Sequence, residues 1–243
     1  MIEIVNVHKT FGKNWVLQGV NLIIENGVTF AIIGRSGCGK SVLLKHIVGL
    51  LFPDEGFVKV DGDLIENGNL SKLYEIRRKF GFLFQGSALF DSMSVGENVS
   101  LPLLENRDHF NIIDIDKKVA EKLELVGLPG IENLKPSELS GGMKKRVALA
   151  RALITNPDFI LYDEPTTGLD PIMSDSIDDL IKDLCEHLNA TSIVVTHDMF
   201  SVKNVADKIA MMHEGKIYFV GTPEELIESD DEVIVNFIKR TGF

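Results

Sequence analysis

Apolar runs and their breaks divide the chain into strands and helices. Ile2 and Ile4, with the alternate set Val5 and Val7, read as a strand. Phe57-Val58-Lys59-Val60 reads as another, bracketed by Pro53-Asp54-Glu55-Gly56 and Asp61-Gly62, residues that favour turns. Phe30-Ala31-Ile32-Ile33 ends in glycine and passes into a helix predicted from Val42 to Leu51. Phe80 to Phe84, Phe159 to Tyr162 and Ser192 to Thr196 are almost continuously apolar, as parallel strands covered on both faces are. Ile177, Leu180, Ile181, Leu184 and Leu188 fall at helical spacing opposite Asp178, Asp179, Lys182 and Glu186, predicting a helix from Met173 to Leu188. From about Gly86 to Pro157 the pattern is more helical, with loops around Asn106-Arg107-Asp108 and Pro129-Gly130. That stretch reads as an insert between two halves of an α/β core. Thr222-Pro223-Glu224-Glu225 has capping-box spacing with proline at the first helical position.

The four core strand candidates share one property. Each is followed at once by small or polar chemical groups: Gly34 to Ser41, Gln85, Asp163-Glu164 and His197-Asp198. In a parallel sheet the carboxyl ends lie along one edge, where α/β proteins bind ligands. Four segments far apart in sequence are therefore expected to meet at one site.

Gly34-Arg35-Ser36-Gly37-Cys38-Gly39-Lys40-Ser41 fits G-x-x-x-x-G-K-[ST] between a strand and a helix. The glycines permit turn conformations and let backbone N–H groups approach phosphate oxygens, while the new helix adds its positive end. Lys40 supplies a charge to the β- and γ-phosphates and Ser41 a hydroxyl for Mg²⁺. Asp163 can hold Mg²⁺ through its shell, and Glu164, one residue on, is placed to accept a proton from an attacking water. Leu139-Ser140-Gly141-Gly142-Met143 precedes a helix rich in Val147, Ala148, Leu149, Ala150 and Leu153. Ser140 suits an N-cap and the glycines expose N–H groups, a second anion cradle without its own lysine.

Composition narrows the setting. The hydrophobic fraction is 44% and the charged fraction 25%, ordinary for a globular chain. At 243 residues it is expected to form one large domain or one with a substantial insert. The net charge of −11 argues against a dedicated nucleic-acid binder. Two cysteines, Cys38 and Cys185, cannot build a disulfide framework. No apolar run approaches the ~18 residues of a membrane span, and the N-terminus carries no secretory pattern. Any membrane work would need other chains.

Taken together these motifs resemble the nucleotide-binding subunits of ATP-binding cassette (ABC) transporters over essentially the whole chain. Phosphate loop, Gln85, Leu139-Ser140-Gly141-Gly142, Asp163-Glu164, Gly168-Leu169-Asp170 and His197 occur in the family order. The resemblance implies an α/β fold: a P-loop NTPase core with a mostly parallel sheet and helices on both faces, an N-terminal antiparallel β-subdomain and an inserted α-helical subdomain. It implies core segments 1–85 and 158–243 and a helical subdomain 86–157 carrying the signature. It further implies ATP and Mg²⁺ as ligands and a homodimer sandwiching two ATP molecules, each between one phosphate loop and the other chain's signature. Gln85 would then sense the γ-phosphate and Mg²⁺ and couple to a permease. His197 would contact the γ-phosphate, and Asp170 would lie in the loop crossing the dimer. Phe11 matches the aromatic that stacks on adenine, or is a half-buried packing residue.

Met143 stands where glutamine is usual, Val42 where a second hydroxyl often follows Ser41, and Thr167 in place of a serine-alanine start. Lys40, Ser41, Asp163, Glu164 and His197 remain, so no loss of activity is implied. The stretches 39–45, 84–93 and 136–143 resemble the ATPase subunit of Mla-type (MCE-associated) lipid transporters. Such subunits work with a multi-spanning permease and a lipid-binding MCE-domain protein, and the resemblance implies a cytoplasmic protein held on the inner face of the plasma membrane through the permease. An ABC importer of amino acids, ions or other small solutes is the alternative. A non-transport ABC ATPase fits less well, since there is one phosphate loop and no sustained heptad pattern. After Gln85, Leu89, Phe90, Met93 and Val95 are unusually apolar for a loop and are expected to form much of a groove for a permease helix. Cys38 has two readings: a reactive thiolate favoured by Lys40 and the helix dipole, or a small residue tucked under the loop. Cys185, on an apolar helix face, is expected to be inert.

Overall fold

The computed structural model describes residues 1–105, 114–188 and 190–241. The predicted loop at Asn106-Arg107-Asp108 lies outside them. The chain opens with β1 (Ile2–Phe11) and β2 (Asn14–Ile24), an antiparallel hairpin. Asn6 adopts φ 46°, and the register shifts between Ile4 and Val7. This bulge moves the alternation by one residue, so Ile2, Ile4 and Val7 are all buried. β3 (Thr29–Gly34) is buried at every position and leads to α1 (Lys40–Ile47). That helix begins two residues before the predicted Val42 and ends well short of Leu51, because Gly39 at φ 108° turns the chain straight into it.

β4 (Glu55–Val60) and β5 (Asp63–Leu64) complete a four-stranded antiparallel sheet of order β2-β1-β4-β5. α2 (Leu70–Arg78), capped by the Asn69 side chain, carries few apolar residues and buries only Leu73 and Ile76, which is why no sequence pattern marks it. After β6 (Phe80–Leu83) come α3 (Val95–Glu105), α4 (Ile115–Leu125) and α5 (Gly141–Leu153). β7 (Phe159–Asp163), α6 (Pro171–Leu188), β8 (Thr191–Val195) and α7 (Met199–Val205) follow. The hairpin β9 (Lys208–His213) and β10 (Lys216–Gly221) then leads to α8 (Pro223–Ile227) and α9 (Glu232–Arg240). α8 has the expected reciprocal cap: Glu225 N–H donates to Thr222 Oγ1 at 3.2 Å and Thr222 N–H to Glu225 Oε2 at 2.9 Å.

The second sheet has order β10-β9-β3-β8-β7-β6, parallel throughout except for the β10 edge. Its two faces explain the apolar runs. Phe30, Ile32, Phe159, Leu161, Ile193 and Val195 point toward α1 and the antiparallel sheet. Their neighbours point the other way: Ile160, Tyr162 and Val194 pack on α5 and α6, while Ala31 and Ile33 pack on α7 and α9. Helices α3, α4 and α5 share one core through Val99, Leu103, Val119, Leu123 and Leu149. The expected mostly parallel sheet, separate antiparallel sheet and helical layers are all present. None of the helices is long and apolar enough to cross a membrane among the described residues.

Candidate nucleotide site

β3, β8, β7 and β6 are neighbours in the sheet, so their carboxyl ends do meet. They open on a cleft of about 570 Å³ lined by Arg35, Ser36, Lys40, Ser41, Gln85, Glu164 and His197, among others. These seven residues, contributed by four separate segments, thus face one volume large enough for a small ligand.

The loop from Gly34 to Lys40 needs its glycines. Gly34, Gly37 and Gly39 have φ of 149°, 80° and 108°, conformations L side chains avoid. A Cβ at Gly34 would lie 2.5 Å from the Met212 carbonyl oxygen, and one at Gly39 2.9 Å from Leu17. Inside the loop, Lys40 is 7% exposed and its ammonium donates to the carbonyls of Gly34 at 2.8 Å and Arg35 at 3.3 Å. A buried positive charge therefore spans a ring of backbone, the arrangement a polyphosphate can enter.

Ser41 Oγ donates to Asp163 Oδ1 at 3.3 Å. Burial raises the Asp163 pKa, and the Ser41 bond works against that rise. A hydroxyl and a half-buried carboxylate brought within one hydrogen bond are hard oxygen donors that suit Mg²⁺, so this pair fits the ion. Among the described residues no cluster of three His, Cys, Asp or Glu side chains offers a separate metal site.

Glu164 sits just beyond β7 with φ 50° and its N–H on the Val195 carbonyl at 2.8 Å. Its carboxylate accepts from Thr167 Oγ1 at 3.1 Å and lies 2.9 and 3.0 Å from His197 Nδ1. Base and histidine thus form one unit at the ends of adjacent strands. A residue that no motif pointed to completes it. Lys145 of α5, 5% exposed, donates to the carbonyl of Gln85 and to that of Glu164 at 3.4 Å. Burial lowers the Lys145 pKa, while the charges of Glu164 and Asp163 raise it.

Other predicted site residues lie elsewhere. Ser140 caps α5, its Oγ accepting from Met143 N–H at 3.2 Å. Ser140 and Gly141 are exposed and Gly142 is buried, and none of them lines the cleft. They sit beside the Asp170 loop instead: a Cβ on Gly141 would be 3.6 Å from Leu169. Asp170 itself caps α6, accepting from Met173 N–H at 3.0 Å. Phe11 is 47% exposed at the hairpin tip, with Lys9 Nζ 5.9 Å from its ring centre, and does not line the cleft. Val16, Val42, Phe237, Arg240 and Thr241 do. Of these only Val42 stood in the sequence motif; helical spacing in 232–240 could have picked out Phe237, but nothing local says where that helix packs.

Of the two readings of Cys38, its surroundings favour the second. The half-buried thiol has its pKa raised by burial, against the pull of Lys40. Its Sγ lies 2.7 Å from where a Gly34 Cβ would stand. Cys185 is likewise raised by burial and lies 2.9 Å from Ser192 Oγ. The apolar segment after Gln85 is also revised. Of its four residues only Phe90 lines a second groove of about 570 Å³, with Tyr74, Phe82, Phe84, Leu101 and Arg151. Val95 is buried at the start of α3, and Leu89 packs against the helical core.

Known proteins share this arrangement. Residues 17–167 match the family described as ABC transporter. The intermembrane phospholipid transport system ATP-binding protein MlaF of Haemophilus influenzae is 44% identical over 241 residues, spanning 98% of this chain and 90% of that protein. The methionine import ATP-binding protein MetN of Clostridioides difficile is 42% identical over 226 residues, spanning 93% of this chain and 70% of that one. A dimeric structure of a post-hydrolysis state of the ATP-binding cassette MJ0796, bound to ADP and Pi, aligns with TM-score 0.82 at 36% identity, covering 92% of this chain and 99% of that one.

Proposed function

The chain belongs to the ABC transporter family as its ATP-hydrolysing subunit, and from that membership we propose that it drives phospholipid transport through a separate membrane permease. In this reading segments 1–85 and 158–243 form the nucleotide core and 86–157 the helical subdomain. One observation carries the hydrolysis chemistry: Lys40, Ser41, Gln85, Glu164 and His197 face one cleft from four strand ends, with Asp163 hydrogen-bonded to Ser41 and Glu164 to His197. The loop amides and Lys40 bind the phosphates of ATP. Ser41, Asp163 and Gln85 would hold Mg²⁺, which when bound neutralises charge on the β- and γ-phosphates. Glu164 takes a proton from the water that attacks the γ-phosphate. His197, hydrogen-bonded to the Glu164 carboxylate, fixes its orientation and meets the γ-phosphate.

The signature cradle stands outside its own chain's cleft, which supports a composite site completed by Ser140, Gly141 and Gly142 of a second copy. Asp170, next to that cradle, then lies at the crossing between chains. Ser140→Arg puts bulk and charge where the partner's γ-phosphate would sit. Steady-state ATPase assays are expected to find that variant nearly inactive with its fold intact by circular dichroism. Near wild-type turnover would mean that hydrolysis is completed within one chain. Phe11, at the tip of its hairpin, is retained only as a candidate for contact with the adenine.

Phospholipid as cargo rests on the similarity to MlaF and on the matching stretches around Lys40, Gln85 and Ser140. The partners would be a multi-spanning permease and an MCE-domain lipid-binding protein, with the ATPase held at the cytoplasmic face of the inner membrane. The similarity to MetN at 42% identity supports a second reading, an importer of amino acids or another small solute. Reconstitution with its permease separates them: transfer of labelled phospholipid between vesicles, or uptake of a labelled solute.

The aromatic groove fits the permease contact in either case. Phe90 is 51% exposed there, and its N–H is held by buried Asn98 at 2.8 Å. Phe90→Asp should abolish co-purification with the permease while leaving nucleotide binding by the isolated subunit unchanged. Undiminished co-purification would place the contact elsewhere.

A further inference from the structure

α5 touches two different places. Its first turn presents the exposed Ser140 cradle, and little more than one turn later Lys145 is buried against the ends of β6 and β7. There its ammonium donates to the backbone carbonyls of both Gln85 and Glu164. Both residues line the cleft, from the ends of adjacent strands. A buried ammonium is costly unless its N–H groups are used and opposite charge is close. Here two carbonyls take its protons, and Glu164 and Asp163 supply the charge. Glu164 also needs such a hold, because φ 50° is a conformation a glutamate keeps only when its surroundings enforce it.

We propose that Lys145 is a positioning residue for ATP hydrolysis, which ties the Gln85 turn and the Glu164 turn to the signature helix so that the three move as one body. The proposal rests on the composite-site reading and deepens it. When the cradle at the head of α5 engages the partner's nucleotide, the displacement of that helix reaches the hydrolytic groups of its own site through one side chain. Lys145 itself touches backbone oxygens, and its effect on the reaction is through Gln85 and Glu164. Lys40, the loop amides and the Ser41–Asp163 pair, which bind phosphate and most of the Mg²⁺ shell, make no hydrogen bond with it.

The test uses the full-length chain and three variants. Lys145→Met keeps the unbranched apolar stem and removes the donors. It is expected to lower kcat about 10- to 100-fold, the cost of misplacing groups by a fraction of an ångström to an ångström. KM for ATP, ADP affinity by fluorescence titration and ATP-dependent dimerisation should change less than about twofold, a smaller effect than the loss of one tenfold interaction. Lys145→Arg, whose fork can reach both carbonyls, should restore most of kcat. A lysine that only supports the fold would instead lower Tm and nucleotide affinity together with kcat, and that result overturns the proposal. So does a Lys145→Met enzyme with wild-type kcat. Ser140→Arg run alongside separates the two claims: full activity there overturns the composite site, whereas an inactive Ser140→Arg with a normal Lys145→Met overturns the role of Lys145 alone.

Discussion

Glu164→Gln is expected to slow ATP hydrolysis by about 10²- to 10⁴-fold, the usual contribution of a positioned general base, while ATP binding stays intact. The amide keeps the size of the carboxylate and an oxygen that can accept from Thr167, now 3.1 Å away. It cannot take a proton from water. Lys40, Ser41 and Asp163 are untouched, so phosphate and Mg²⁺ contacts remain. A nucleotide that binds and is not consumed should then hold two chains together. Multi-angle light scattering with and without Mg-ATP reads this directly: a dimer only with ATP is the expected result, and an ATP-loaded monomer would sink the sandwich arrangement.

Lys40→Ala acts at the opposite end of the cycle and should abolish binding itself. The ammonium is almost fully enclosed and is held by two carbonyls of its own loop. Removing it leaves those carbonyls facing each other and gives an incoming polyphosphate no cation at its centre. Losing one partner of a buried charge pair costs on the order of 3–5 kcal/mol, or roughly two to four powers of ten in affinity. Titration with a fluorescent ATP analogue should show little or no saturation in the range where wild type saturates. Affinity close to wild type would mean that the loop amides alone hold the phosphates. The pair of variants thus separates capture from turnover.

Much of this site is legible along the chain because its parts are local. Gly34 to Ser41 carries its own turn geometry and its own lysine, and Phe30 to Ile33 is apolar on both faces because helices cover one side and a sheet the other. Asp163 and Glu164 follow a buried run for the same reason. What the sequence hides is what arrives from a distance. Lys145 looks like one more charge in Lys144-Lys145-Arg146, and only the approach of β6 and β7 to α5 turns it inward. The Cys38 thiol sits by a lysine and a helix start, features that favour a thiolate, but packing beside Gly34 outweighs them. The phase of β1 is hidden by the bulge at Asn6. Phe237, Arg240 and Thr241 reach the cleft because Ile234, Phe237 and Ile238 anchor α9 to Ile33 and Met199, a contact across some two hundred residues that no local pattern announces.

The placement of α9 also has a bench-level consequence. Arg240 and Thr241 line both the phosphate cleft and the neighbouring groove with Glu164 and His197. A polyhistidine tag appended after this helix would therefore start at the mouth of the cleft, carrying imidazoles that compete for divalent metal. Assays of turnover on such a fusion would report the tag as well as the enzyme. Fusion ahead of β1 keeps the purification handle away from the last turn of α9, and a protease site between tag and chain makes the comparison in a single preparation.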